Sequence, residues 1–168
     1  MTPEPRMVAF CGFAGSGKNT AAEHVLYETQ QTNQPVVRLA FADALKDAVS
    51  AIFQWDRRLL DGDTEQSRAW REEIDARWSA RLGRTLTPRR VLQEIGTDVF
   101  RMHFHPDIWL TALEARLQEN TLHVITDARF GNEIEWVRAR QGVVIWVYRP
   151  CATLDTVLPV SRVCDAPG

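Results

Sequence analysis

The 168-residue chain is 45% hydrophobic and 25% charged, with a formal net charge of −2 at pH 7; this suits one soluble globular domain and gives no overall electrostatic reason to grip nucleic acid. No apolar run approaches the roughly 18 residues of a membrane span, and the start, MTPEPR, lacks the apolar stretch of a secretory signal, so a cytoplasmic protein with no membrane partner is expected. The cysteines, Cys11, Cys151 and Cys164, are odd in number and form no CxxC pair, which argues for reduced structural thiols rather than disulfides or structural zinc.

Taken in chain order, RMVAFC (6 to 11) is a continuous apolar run of the kind found in buried parallel strands. CGFAGSGKNT follows, and NTAAEHVLYETQ then predicts a helix with Ala22, Val25 and Leu26 inward. VVRLAF (36 to 41) is a second strand, after which Leu45, Val49, Ile52 and Phe53 recur at helical spacing. A polar stretch follows, in which Trp70, Ile74 and Trp78 predict one helical face. Thr87 and Pro88 suit an N-cap and first-turn proline for a helix carrying Val91, Leu92, Ile95 and Val99. HPDIWLTALEARLQEN (105 to 120) predicts another helix, LHVIT (122 to 126) a third strand, NEIEWVRARQG a helix ending at Gly142, and VVIWVY (143 to 148) a fourth strand. Strands alternating with helices imply an α/β fold with a mostly parallel sheet covered on both faces. Ligands in such sheets bind at the carboxyl ends of the strands, where both the glycine loop and TDAR after LHVI lie.

Gly12, four residues, Gly17 and Lys18 match the P-loop (Walker A) spacing G-x-x-x-x-G-K, placed after a strand and before a helix as that motif requires. Glycines let backbone N–H groups turn inward around phosphate oxygens, the helix start adds partial positive charge, and the lysine reaches the outer phosphates. The loop is therefore expected to bind ATP or GTP through Gly12, Ala14, Gly15, Ser16, Gly17, Lys18, Asn19 and Thr20. Lysine occurs only at Lys18 and Lys46, against eighteen arginines, which singles out Lys46 as well. The position after Lys18 ordinarily supplies a hydroxyl to Mg²⁺ and here is Asn19. GSGKNT resembles the GSGKGT form of nucleoside monophosphate kinases, whose hydroxyl comes one residue later, at Thr20 here; the alternative is a helix residue bonding its own backbone.

The resemblance widens beyond the loop. FADALKD (41 to 47), TPRRVLQEIGTDVFR (87 to 101), DIWL (107 to 110) and VITDARFGNEI (124 to 134) resemble, in order, the motif series of the bacteriophage deoxynucleoside monophosphate kinases. It implies a P-loop NTPase, nucleoside monophosphate kinase-like three-layer fold, as a single domain over 1–168 with a helical acceptor-binding insert at about 55–120. It further implies nucleotide-binding roles for Asp43, Lys46, Arg89, Gln93, Arg101, Asp127 and Arg129, and places Trp109 in the pocket, with Asp43 and Lys46 toward the acceptor. The implied activity is transfer of the γ-phosphate of ATP to a deoxynucleoside monophosphate, giving the diphosphate, with Mg²⁺, in the infected host cytoplasm if phage-encoded. A homodimer is compatible with the sequence.

Physical readings of those positions stand beside the resemblance. Asp127 follows an apolar strand, where a Walker B-like carboxylate holds Mg²⁺; the alternative is a helix N-cap. Arg129 could neutralise transition-state charge, or pair with Glu133 on the surface, while Asn132 and Glu133 suit a helix start. Asp43 and Lys46 share one face of a starting helix, for substrate or for a plain i, i+3 ion pair. Arg89, Gln93 and Arg101, spaced by four and eight, are expected on one helix face, either for an acceptor phosphate or simply solvated. His103 and His105 lack a third metal ligand.

The chain departs from the family after VVIWVYRP. CATLDTVLPVSRVCDAPG lacks the histidine-serine-glutamate segment of the phage kinases and an arginine-rich lid, so the site is expected to admit a larger acceptor. A second acceptor is then the hydroxymethyl group of 5-hydroxymethyluracil in phage DNA, with Asp43 as general base. The arginine-rich segment from Arg57 to Arg101, ten arginines against eight acidic residues, would meet the DNA backbone. A third reading is a nucleotide-binding switch or ATPase without a phosphate acceptor.

Overall fold

The computed structural model describes residues 6–149. The C-terminal stretch bearing Cys151, Arg162 and Cys164, on which the lid expectation rests, lies outside them. Two compact units emerge, one formed by the chain up to Phe41 and again from Leu113, the other by Ala42–Ala112. No helix among the described residues is long and apolar enough to cross a membrane.

The first unit holds a four-stranded sheet in the order β2-β3-β1-β4, from β1 (Arg6–Cys11), β2 (Val36–Leu39), β3 (Leu122–Ala128) and β4 (Val143–Trp146). All three pairings are parallel, as the unbroken apolar runs of strands covered on both faces dictate. Alternation along β1 sends Val8 and Phe10 to one face, where they pack against Ala22, Val25 and Leu26 of α1 (Lys18–Gln31). Met7 faces the other way, toward Gly142 and Val137 at the end of α7 (Gly131–Ala139). The result is the expected three-layer, P-loop kinase-like α/β arrangement.

Register is irregular at one place. Ala9 pairs with Ile125 but Cys11 pairs with Ala128, so β3 carries one extra residue across Thr126–Asp127. Such a bulge bends a strand and re-aims a side chain.

The second unit contains α2 (Asp43–Phe53), α3 (Glu65–Trp70), α4 (Ala76–Leu82), α5 (Pro88–Gln93) and a π-helical continuation of α5 (Glu94–Phe104); α6 (Ile108–Glu114) leads out of it. Leu45, Val49 and Phe53 are buried as their spacing predicts, but Ile52 is exposed. Trp70, Ile74 and Trp78 do not share a helix face. Asp75 accepts from the Trp78 amide at 2.8 Å and starts a new helix, which leaves Ile74 exposed between two helices. The same carboxylate takes the Trp55 indole N–H at 2.8 Å, while Phe53 stacks on Trp55 at 4.5 Å and meets Trp78 at 4.7 Å.

Thr87 caps α5 and Pro88 opens it. The 3.6-residue pattern then fails because winding changes to π at Glu94, and Val99 is exposed. Gly96 lies where the helix meets α2: a Cβ there would come within 2.4 Å of the Leu45 side chain. The Gly96 carbonyl accepts the buried Trp109 indole N–H at 3.0 Å. Helix α6 is shorter than the 105–120 expected.

Candidate active site

In the first unit the glycine loop leaves the end of β1 and becomes α1. Gly12, Gly15 and Gly17 have φ of 139°, 74° and 99°, values that favour residues without a Cβ. At Gly12 there is also no room, because a Cβ would lie 2.3 Å from the carbonyl oxygen of Val147, whose own amide donates to Cys11 O at 2.8 Å. Gly17 precedes α1 without a side-chain cap, so the first N–H groups of that helix have no intrahelical acceptor and no cap from this residue. Together with the helix dipole they make an anion-binding end.

Lys18 folds back over the loop, donating through Nζ to Gly12 O at 2.8 Å and Phe13 O at 2.6 Å. Burial, then the nearby Arg129 guanidinium, pulls its pKa below the usual lysine range, against the opposing influence of Asp127. Two cations and a carboxylate are therefore close to the loop. Ser16 Oγ is buried and has no hydrogen-bond partner among the described residues, a state that ordinarily signals a missing ligand or water. Thr20 is exposed in the first turn of α1. No bond from its hydroxyl to the helix backbone is seen among the described residues, whereas Thr29 Oγ1 donates to Val25 O at 2.7 Å.

Asp127 sits half-buried in the β3 bulge, and its Oδ1 accepts the Phe41 amide at 2.7 Å. It does not cap α7. That role falls to Glu133, buried, whose Oε2 accepts the amides of Arg129 at 2.7 Å and Phe130 at 3.1 Å, as expected of a helix-start residue. The side chain of Arg129 is thereby carried on a backbone pinned at the strand end.

The second unit holds the other sequence-selected residues. Asp43 and Lys46 lie in the first turn of α2 but are not paired by the simple i, i+3 bridge. Arg57 donates to Asp43 at 2.9 Å, and Lys46 donates to Asp61 at 2.9 Å. Arg57 also bonds Asp47 at 2.6 Å and Asp61 at 2.7 Å. Burial opposes ionised Asp61, yet the bonds from Arg57 and Lys46 outweigh it and hold the carboxyl below its usual range. The network spans separations of 14, 10 and 4 residues, of which only the Arg57–Asp61 spacing matches a helical period.

Arg89 and Gln93 are exposed on α5, and Arg89 pairs with Glu72. Arg101 lies in the π-helical part, so the eight-residue α-helical spacing from Gln93 does not place it on their face; its guanidinium reaches Pro106 O at 3.5 Å. Trp109 is 7% exposed and makes an edge contact with Phe100 at 5.4 Å. With its N–H committed to Gly96, it packs the interior of its unit. Arg57, Arg58, Arg84, Arg89 and Arg90 are each ion-paired to carboxylates of their own unit, which subtracts from the positive surface that a DNA backbone would need.

A protein of Acanthamoeba polyphaga mimivirus, provisionally named deoxynucleotide monophosphate kinase, is 28% identical over 167 residues, covering 91% of this chain and 79% of its own. The deoxynucleoside-5'-monophosphate kinase of Escherichia phage T5 is 42% identical over 55 residues, 32% of this chain and 22% of that protein. The family model for deoxynucleotide monophosphate kinases matches residues 71–156, just over half of the sequence. With that match, the chain belongs to the deoxynucleotide monophosphate kinase family.

Proposed function

We propose that residues 12–20 hold the polyphosphate of ATP in this kinase, and that Lys18 and Arg129 stabilise charge on the phosphoryl group passed to a deoxynucleoside monophosphate. Family membership makes the chain an ATP-dependent phosphotransferase acting on deoxynucleotides. The observation that carries the residue assignment is the loop itself: three glycines at positive φ, Lys18 lying over their carbonyls, and Arg129 and Asp127 within its electrostatic reach.

Phosphoryl transfer asks little covalent chemistry of a protein and much positioning and charge stabilisation. On this reading Lys18 exchanges its two carbonyl partners for phosphate oxygens, and Ser16 Oγ gains the partner it lacks. The hydroxyl of Thr20 and the carboxylate of Asp127 would be the oxygen donors the protein offers to Mg²⁺, a donor type that suits this hard cation. When bound, Mg²⁺ supplies neutralising charge to the phosphate oxygens. Among the described residues no group of three His, Cys, Asp or Glu side chains is built as a metal cage, which fits an ion held largely by substrate.

Asp43, Lys46, Arg89, Gln93 and Arg101 are assigned to the acceptor, within the helical part of the chain at about 55–120 and the turn before it. A monophosphate acceptor is already an anionic oxygen nucleophile and needs no strong base, so cationic side chains matter more than a general base. Trp109 is assigned an indirect part, holding the Gly96 carbonyl.

The test uses γ-labelled ATP and Mg²⁺ with a mixture of deoxynucleoside monophosphates in one tube and duplex DNA containing 5-hydroxymethyluracil in another. Label is expected in diphosphates, and Lys18→Ala is expected to abolish it. Label retained by the DNA alone would overturn the acceptor assignment, and undiminished turnover by Lys18→Ala would overturn the donor site.

A further inference from the structure

Sequence reading gives Arg57 no part in nucleotide binding, only a place in the arginine-rich segment considered for a DNA backbone, yet it is the hub of the charged cluster at the start of α2. Its three nitrogens each take a different carboxylate: Nε takes Asp47 at 2.6 Å, one terminal amino group takes Asp61 at 2.7 Å, and the other takes Asp43 at 2.9 Å. Asp61 Oδ1 is shared with Lys46 Nζ at 2.9 Å. One guanidinium therefore touches Asp43 directly and Lys46 through a single oxygen.

The backbone that carries Arg57 is itself fixed. Residues 56–61 form successive turns, with amide donations from Leu59 to Asp56 O at 3.1 Å, Leu60 to Arg57 O at 3.2 Å and Asp61 to Arg58 O at 3.3 Å. Leu60, fully buried, anchors these turns. Asp43, Lys46, Asp61 and Arg57 are all partly shielded from solvent, where ion pairs are screened less than at an open surface. A planar fork with fixed donor directions can orient several carboxylates at once, which a lysine ammonium on a flexible stem cannot.

We infer that Arg57 is the positioning residue of the acceptor site, holding Asp43 and, through Asp61, Lys46 in the orientations that receive the deoxynucleoside monophosphate. This rests on the assignment of Asp43 and Lys46 to the acceptor. Arg57 touches neither substrate, and its effect passes through the rotamers of those two side chains. Three carboxylates around two cations make the cluster net negative, so the guanidinium is not itself a phosphate-binding group. Loosening it removes one of the bonds that orient Asp43 and leaves Asp61 to draw Lys46 out of place.

The experiment is steady-state kinetics of Arg57→Lys, Asp43→Asn and the double variant, at a temperature where circular dichroism shows all three folded, with Lys46→Ala as a control on the underlying assignment. Losing one charged hydrogen bond to Asp43 corresponds to a change of roughly tenfold. Arg57→Lys should therefore change KM or kcat for the monophosphate by about that factor and leave KM for ATP as it was. Because Arg57 acts through Asp43 and, by way of Asp61, through Lys46, the double variant should be worse than Asp43→Asn alone but by less than the product of the two single effects. Wild-type constants for Arg57→Lys overturn the inference, as do multiplying effects in the double variant or an equal shift in KM for ATP. Lys46→Ala separates the two levels. If it leaves the monophosphate constants untouched, the acceptor assignment itself falls; if it disturbs them while Arg57→Lys does not, only the role of Arg57 falls.

Discussion

The two lysines of this chain sit in contrasting settings, one in each compact unit. Lys18 is held by two neutral peptide carbonyls, and burial together with nearby Arg129 lowers its affinity for a proton. Lys46 is held by the carboxylate of Asp61, which Arg57 also grips. In the first setting geometry is made by backbone, with glycine φ values and a bulged strand; in the second it is made by side chains that neutralise one another. A backbone-built site has few tolerated variants at its turns, because the constraint is steric. A side-chain network should degrade by degrees, one bond at a time.

Gly12 gives that contrast its largest expected effect. Alanine there meets the Val147 carbonyl at 2.3 Å, a backbone atom that cannot rotate aside, at a φ of 139°. The loop, the end of β4 or both must move. Gly15→Ala meets nothing within 4 Å and bears only its positive φ, a cost of roughly 1–2 kcal/mol. In kcat/KM for ATP, Gly12→Ala should fall on the order of 100-fold or more, against about 5- to 30-fold for Gly15→Ala, by the steric and dihedral costs just given. Equal losses would remove the distinction between clash and dihedral.

The next effect is smaller and belongs to the side-chain unit. Arg89 is exposed and pairs with exposed Glu72, a pair worth little to stability, so Arg89→Ala should fold normally. If Arg89 holds the acceptor phosphate, its loss should raise KM for the monophosphate about tenfold, the worth of one charge-assisted bond, and leave KM for ATP where it was. A rise in KM for ATP of the same size would place Arg89 outside the acceptor site.

The same contrast explains what could be read from sequence. The loop was legible because its chemistry is contiguous: strand, glycines, lysine and helix lie within residues 6 to 31, and each constrains the next. Asp127 was legible as a carboxylate after an apolar strand. Its aim was not, because the bulge appears only when β3 is laid against β1, and the Phe41 amide that fixes Oδ1 is 86 positions away. Thr87 and Pro88 marked the start of α5 locally, but nothing local marks the change to π winding at Glu94, where Gly96 packs on Leu45 and takes the bond from Trp109. Trp70, Ile74 and Trp78 satisfied a helical period that the Asp75 cap overrode. Arg57 was invisible for the same reason as the bulge, since its partners are defined by a turn rather than by a period.

Acid should distinguish the two units by the pH window in which each loses stability, the smallest of the expected effects. In the first unit His123 is fully buried; its Nε2 accepts the Gln118 amide at 2.9 Å, which leaves Nδ1 to donate to Arg6 O at 3.3 Å. Burial lowers its pKa below 6.5, so the folded state keeps it neutral while the unfolded chain takes up a proton. Stability is then full above about 6.5 and falls as pH drops from there toward the folded-state value. In the second unit the Arg84 hydrogen bonds, with help from Arg90, lower the pKa of Glu94 from 4.5 to about 2. Its contribution is present above 4.5 and is lost as pH falls from there through about 2. Hydrogen exchange followed by segment should therefore show protection around β3 weakening as pH falls below 6.5, with protection around α5 holding until below 4.5. His123→Gln should flatten the first slope and leave the second unchanged, whereas Glu94→Gln should do the reverse. If both segments lost protection together at every pH, or if His123→Gln left the first slope intact, the assignment of separate titrating groups to the two units would fail.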